Sequence, residues 1–359
     1  MKPKLKPLSE QVIVITGASS GIGLATARKA TKVGAKVLLV ARNEAALKAV
    51  VAEIDAAGGV ADYIVADVGD EADIKAVVDK AGVRFGGFDT WINNAGVGIY
   101  ASLAETPTAE HARLFKTNYW GTVFGSLAAV DYLRIRGGAL INVGSVAADM
   151  PSPLFGAYVA SKHAVKGFTD SLRIEMIAAK APISVTLIKP SGIGTPFAEH
   201  AANHLAGEAR IPLPVYAPEL VADAILHCAQ TVRRDMTVGG GGRQQVMMAT
   251  HLPSLFDHLA PLIMPLLSDK KHAKTRSDNL DHSLEAGRAH GALAKGRSFS
   301  IYTTAQMHPR AMLGLGLIGG LAAAALIGAR LSRTSPGLIS RAKRLSGTFK
   351  SSARHLIGI

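Results

Sequence analysis

Over its first 240 residues the chain alternates short, β-branched apolar runs with longer helical ones. Seven runs are predicted as strands: 12–16 (VIVIT), 36–41 (KVLLVA), 61–66 (ADYIVA), 88–93 (FDTWIN), 138–144 (GALINVG), 183–188 (ISVTLI) and 235–238 (DMTV). Their nearly continuous apolar character marks parallel strands buried on both faces. Helical periodicity fits 21–33, 43–57, 70–84, 108–135, 156–180 and 217–230. The expected fold is α/β: a doubly wound, seven-stranded parallel sheet with helices on both faces, plus a C-terminal helical extension.

The character changes after Val238. Residues 239–242 read as a four-glycine break. Residues 251–267 are apolar but interrupted by Pro253, Pro261 and Pro265, which disfavours a straight helix and suits a cap or an interface. Residues 268–300 are polar and aperiodic, and read as a linker. The chain thus divides into a main domain (1–240), an irregular or helical extension with linker (241–310), a membrane-associated helix (311–329) and a basic tail (330–359). The 19 residues of 311–329 carry no charge. At about 1.5 Å per residue they reach about 28 Å, close to a bilayer's hydrocarbon core. Gly316, Gly320, Ala324 and Gly328 repeat every fourth residue, a small-residue stripe suited to close helix approach in lipid.

Charge is uneven along the chain. Residues 1–267 hold 25 Lys and Arg against 23 Asp and Glu, and residues 268–359 hold 15 against 4. The two parts therefore carry +2 and +11 of the total of +13. The tail has no acid and is expected to favour an anionic lipid surface or the cytoplasmic side. A spanning segment would separate that tail from a cytosolic main domain, whereas an in-plane or re-entrant one would not. No apolar stretch of signal-peptide length precedes the first strand, so the main domain is expected in the cytoplasm. The single cysteine, Cys228, excludes an internal disulfide and a cysteine-based zinc site.

Two local patterns carry chemistry. TGASSGIG at 16–23 follows the first strand and opens the first helix. Glycines there allow close backbone approach, and the helix N-terminus offers free N–H groups to a pyrophosphate. Tyr158 and Lys162 lie four residues apart, on one face of a predicted helix. A free phenol titrates near ~10, and a neighbouring ammonium lowers that value, making the pair a candidate proton donor and acceptor. Alone the pair is a common exposed-face pattern.

The ordered set of motifs resembles the short-chain dehydrogenase/reductase family, a Rossmann-like fold. It comprises the Gly-x-x-x-Gly-x-Gly turn, 93–96 (NNAG), Asn118, Ser145, Tyr158 with Lys162, and Pro190. The resemblance covers roughly 8–240, with Ser191 standing where the family usually has glycine. It implies that Tyr158 exchanges a proton with the carbonyl oxygen and that Lys162 lowers its pKa and holds the nicotinamide ribose. Ser145 would donate a hydrogen bond to the substrate oxygen, and Asn118 would hold a relay water. Cofactor contacts are expected from Gly17, Ser19, Ser20, Gly21, Ile22, Gly23, Arg42, Asp67, Val68, Asn94, Ala95, Gly96, Pro190, Ile193 and Thr195, besides Tyr158 and Lys162. The family also implies homodimers or homotetramers.

No carboxylate precedes Glu44 at the end of the second strand, and Arg42 can pair with a 2′-phosphate. NADP(H) is therefore expected over NAD(H). Ile99, Tyr100, Val146, Leu154, Phe155 and Phe197 are expected to line an apolar substrate pocket. His200 and His204 have i,i+4 spacing without a third ligand, so no metal site is expected. The basic tail lacks interleaved aromatics, so no nucleic-acid partner is expected. The leading expectation is carbonyl–alcohol interconversion on a small apolar substrate. The alternative is a membrane-tethered NADP(H)-binding sensor or scaffold without turnover.

Overall fold

The computed structural model describes residues 3–272, 277–284, 287–292 and 296–309. Its strands are β1 (Val12–Thr16), β2 (Lys36–Ala41), β3 (Val60–Val65), β4 (Thr90–Asn93), β5 (Ile99–Tyr100), β6 (Gly138–Val143), β7 (Ile183–Pro190), β8 (Ala202–Asn203), β9 (Glu208–Ala209), β10 (Asp235–Val238) and β11 (Ser268–Asp269). Seven of them form one sheet in the order β10-β7-β6-β4-β1-β2-β3, with every pairing parallel. The expected doubly wound α/β fold is present. Strand order reverses beside β1, between β2 and β4, and such a switch point opens a crevice at the strands' carboxyl ends.

Alternation along the strands sorts the two cores. Ile13, Ile15, Val37 and Leu39 face α1 (Gly21–Lys32), α2 (Glu44–Ala56) and α8 (Pro218–Gln230). Val14, Leu38, Val40 and Trp91 face α3 (Glu71–Phe85), α5 (Gly121–Arg136) and α6 (Gly156–Ala178). A buried polar network links this second face to the sheet. Asn93 Nδ2 donates to Asn142 Oδ1 at 2.9 Å and to Ser126 Oγ at 3.1 Å, and Asn142 Nδ2 donates to Thr169 Oγ1 at 2.9 Å. Because each unpaired member would be costly, the network fixes how α5 and α6 seat on β4 and β6.

Several element boundaries differ from the sequence expectation. The long helix over 108–135 is two helices, α4 (Thr108–Phe115) and α5, joined by a π-helical turn at Lys116–Trp120. The bulge there coincides with Asn118, whose side chain leaves the helix to bond the backbone of Val97. The four-glycine break shrinks to Gly239, at φ +100; the next three glycines open α9 (Gly240–His251). Pro253 occupies the first turn of α10 (Pro253–Leu259), where its missing N–H is harmless, and a 3₁₀ turn follows over Ala260–Leu267. Two short helices, α7 (Phe197–His200) and α11 (Ile301–Met307), lie after β7 and near the end of the described residues. Residues 311–329 and the basic tail lie outside the described residues. Among the described residues no helix is long and apolar enough to cross a membrane.

Candidate active site

At the end of β1 the chain turns so tightly that a side chain does not fit at Gly17. Gly17 is at φ +64, and a Cβ there would lie 2.8 Å from Ala95 Cα. Thr16 stitches this turn to the loop after β4: its Oγ1 accepts from the amides of Asn94 (3.0 Å) and Ala95 (3.1 Å). Asn94 Nδ2 returns the contact by donating to Thr16 O at 2.9 Å. Ser20 precedes α1 without a side-chain cap; the Gly21 amide donates to the Arg288 carbonyl at 3.0 Å, which leaves the Ile22 and Gly23 N–H groups of the first turn for an anion.

At the end of β6, Ser145 begins a 3₁₀ turn and accepts the Ala147 amide through Oγ at 3.1 Å. Tyr158 and Lys162 share a face of α6, as their spacing predicts. Tyr158 is stacked on Phe155 at 4.3 Å and meets Phe197 edge-on at 5.4 Å. Lys162 is 4% exposed, donates through Nζ to Val143 O at 2.9 Å, and stands 5.5 Å from the Tyr158 ring centroid. Burial pushes the Tyr158 phenol up to about 12, while the Ser145 hydroxyl pulls it down. Burial alone pushes Lys162 down to about 8. In the protein alone, desolvation therefore outweighs the ion-pair effect expected from sequence.

One cleft of about 310 Å³ joins these parts. Gly17, Ser19, Ser20, Gly21 and Ile22 line it together with Asn94, Ala95 and Gly96. Arg42, Asp67 and Val68 form one end; Ser145, Val146, Tyr158 and Lys162 lie with Tyr100, Phe155 and Phe197; Pro190, Ile193 and Thr195 close the side. Four of the residues expected from sequence are not on its wall. Gly23 sits behind the turn, where a Cβ would lie 2.2 Å from Gly17 O. Ile99 points away from its neighbour Tyr100, as adjacent strand residues do, and packs with Leu114 and Ala157. Leu154 contributes a turn at φ 59, its carbonyl accepting the Ala101 amide. Asn118 is fully buried: Oδ1 accepts the Val97 amide at 2.8 Å, and Nδ2 donates to Val97 O and Ser161 Oγ, both at 3.0 Å.

A family model described as short chain dehydrogenase matches residues 11–206. The chain belongs to the short-chain dehydrogenase family. It is an NAD(P)-dependent oxidoreductase. An uncharacterized oxidoreductase of Bacillus subtilis, YxnA, is 41% identical over 331 residues, 90% of this chain and 92% of that one. A 3beta-hydroxysteroid dehydrogenase of Mediterraneibacter gnavus is 36% identical over 194 residues, 54% of this chain and 70% of that one. A solved short-chain dehydrogenase/reductase from Burkholderia phymatum, in complex with NAD, matches with TM-score 0.62 at 27% identity, covering 68% of this chain and 94% of that one.

This short-chain dehydrogenase builds part of its cleft from residues that no local motif announces. Met150 and His200 line it, as do Gln245 and Leu267 from the extension and Asn279, Ser283 and Leu284 from the segment read as a linker. Arg42 reaches the cleft as expected, but its guanidinium already donates to three backbone carbonyls, those of Asn279, Leu280 and His282. Asp67 is likewise engaged: Oδ1 accepts the Gly69 amide at 3.0 Å and Oδ2 accepts Arg113 Nη2 at 2.8 Å. Burial works against its charge, but that amide with Arg113 and Arg42 holds the carboxyl below the usual range. Ser191, in place of the usual glycine, donates to Val238 O at 2.6 Å and so ties the loop after β7 to the end of β10.

Proposed function

We propose that this short-chain dehydrogenase interconverts a carbonyl and an alcohol on an apolar substrate, using NADP(H), with Tyr158 as acid and base. The observation that supports this is the juxtaposition, in one cleft, of a Ser145–Tyr158–Lys162 group with the glycine turn and the start of the helix behind it. A bound nicotinamide supplies or accepts the hydride. Tyr158 gives its proton to the substrate oxygen in reduction and takes it back in oxidation. Ser145 donates a hydrogen bond to that oxygen, where negative charge develops. Lys162 holds the ribose and favours the phenolate. Asn118 acts as a positioning residue, fixing the Val97 backbone and Ser161.

Tyr100, Val146, Phe155 and Phe197 make the substrate end apolar and aromatic. That lining, and the similarity to a 3beta-hydroxysteroid dehydrogenase, support a bulky hydrophobic alcohol or ketone. For the cofactor, Glu44 pairs with Lys48 at 2.9 Å and is not among the residues lining the cleft, whereas Arg42 is. Exposed Trp120 and Leu127 on the π turn and α5, with Ile174 and Ile177 on α6, support pairing of two copies through these helices. The exposed row Leu252, Leu255, Leu259, Leu262 and Leu266 ends beside cleft-lining Leu267 and supports association with a lipid surface, to which 311–329 and the basic tail would add.

The test is a cofactor-oxidation screen over aliphatic, aromatic and steroid-like ketones with NADPH and NADH. Turnover of apolar ketones, faster with NADPH at equal concentration, is expected. Tight NADPH binding without turnover across the panel would instead favour a sensor or scaffold. Full-length protein is expected to sediment with anionic vesicles; recovery entirely in the supernatant would remove the membrane part of the reading.

A further inference from the structure

The segment that follows β11 makes a dense set of specific contacts along the outer rim of the cleft. On the cofactor bank, Arg42 Nη1 donates to Leu280 O at 3.0 Å and Nη2 to the carbonyls of Asn279 and His282. Asn43 Nδ2 donates to Leu284 O at 2.9 Å. The Gly287 amide donates to Ser19 O at 2.8 Å, and the Gly21 amide donates to Arg288 O at 3.0 Å. On the substrate bank, the Gly291 amide donates to Gly194 O at 3.0 Å, the Asn279 amide to His200 O at 2.9 Å, and Arg288 pairs with Glu199 at 3.0 Å. Residues 279–284 and 287–292 thus bridge the glycine turn to the loop after Pro190. Leu280 anchors the bridge, 3% exposed among Ile99, Leu114 and Ala202. Asp281 adds an ion pair at 3.0 Å to Arg113, the residue that also holds Asp67.

Two further observations point to a ligand under this bridge. Asn279 lines the cleft, and its buried Oδ1 has no hydrogen-bond partner. A buried acceptor without a donor is costly and rare; because this oxygen is closed to solvent, a ligand's donor meets it only once the segment has shifted to admit the ligand. Adenosine offers such donors in its 6-amino group and ribose hydroxyls. Arg42, meanwhile, has five N–H donors and spends three on carbonyls, so part of its fork remains for a phosphate.

We propose that residues 279–284 and 287–292 form a clasp over the adenosine half of the bound dinucleotide, with Asn279 a direct cofactor contact supplied from beyond the Rossmann domain. This rests on the dinucleotide reading of the cleft. Uptake and release of the cofactor then require the clasp to part from Arg42, Asn43 and the glycine turn.

Hydrogen exchange on the full-length wild-type protein tests this. With NADPH, the amides of Asn279, Gly287 and Gly291 are expected to exchange at least about tenfold more slowly, together with Ile22 and Gly23 at the helix N-terminus. Reduced nicotinamide mononucleotide, which lacks the adenosine half, is expected to leave the clasp amides unchanged. Protection at the helix N-terminus with unchanged or faster exchange at the clasp overturns the clasp alone. Absence of protection at both places overturns the dinucleotide reading with it. In parallel, Asn279→Ala is expected to weaken NADPH and adenosine 2′,5′-bisphosphate by a similar factor, about tenfold, as for loss of one hydrogen bond. Equal affinities for wild type and variant overturn the Asn279 contact.

Discussion

Tyr158→Phe is expected to lower carbonyl reduction by about 10²–10⁴-fold, the usual contribution of a placed acid, while NADPH binding persists. The substitution removes one oxygen and keeps the ring, so stacking on Phe155 and the edge contact with Phe197 survive. Ser145 remains to polarise the substrate carbonyl, which is why residual turnover is expected rather than none. Rates within tenfold of wild type would exclude Tyr158 as the proton donor.

The same assays carry a pH dependence. With the phenol pushed up to about 12, the donor is protonated throughout the neutral range. Lys162, pushed down to about 8, is a cation below that value and neutral above it. Loss of the ammonium weakens its grip on the ribose and its support of the phenolate. Reductive kcat/KM is therefore expected to fall as pH rises through about 8. A flat profile from roughly pH 6 to 9.5 would remove Lys162 from the titrating machinery.

Gly23→Ala is expected to weaken dinucleotide binding by about 10–100-fold and to lower the melting temperature. A Cβ at position 23 would lie 2.2 Å from Gly17 O and 2.7 Å from Asn94 Nδ2. The nearest atom is backbone and cannot rotate aside, so the turn must open and Asn94 must give up its bonds to Thr16 and Gly17. Overpacking of this kind costs about 1–3 kcal/mol, which in binding is about one to two powers of ten. Gly167→Ala is the matched comparison. It lies in α6, where an added Cβ meets nothing within 4 Å. There the substitution is expected to raise stability by about 0.5–1 kcal/mol through helix propensity and leave binding unchanged. Equal binding by both variants and wild type, measured by NADPH fluorescence titration, would mean that close packing of the turn does not shape the cofactor site.

Much of the site was legible because its signals are short-range. The glycine spacing at 17–23 follows from how tightly β1 must pass into α1. The Tyr158–Lys162 spacing is one helical turn, and both side chains do reach the cleft. Even the misplacement of Ile99 has a local cause, since adjacent strand residues point oppositely and only one of Ile99 and Tyr100 can face the cleft. Asn118 is different. Its π-helical kink interrupts a helical pattern that is continuous in sequence, and the reason is the backbone of Val97, 21 residues earlier.

Sequence alone determined the parallel α/β sheet and the positions at which a dinucleotide turn and a Tyr–Lys pair occur. Strand period, helical period and helix-start glycines are properties of neighbouring residues, so they survive in a linear reading. Only the tertiary structure decided that burial, more than the paired charge, sets the titration of Tyr158 and Lys162. It alone also decided that the segment resembling a linker packs against Arg42 and Asn43 at one end of the cleft. Arg42 and Leu280 stand 238 residues apart, and the bond between them uses a backbone carbonyl, which every residue type presents alike. No composition or spacing signals such a contact; only the folded path of the chain brings it about.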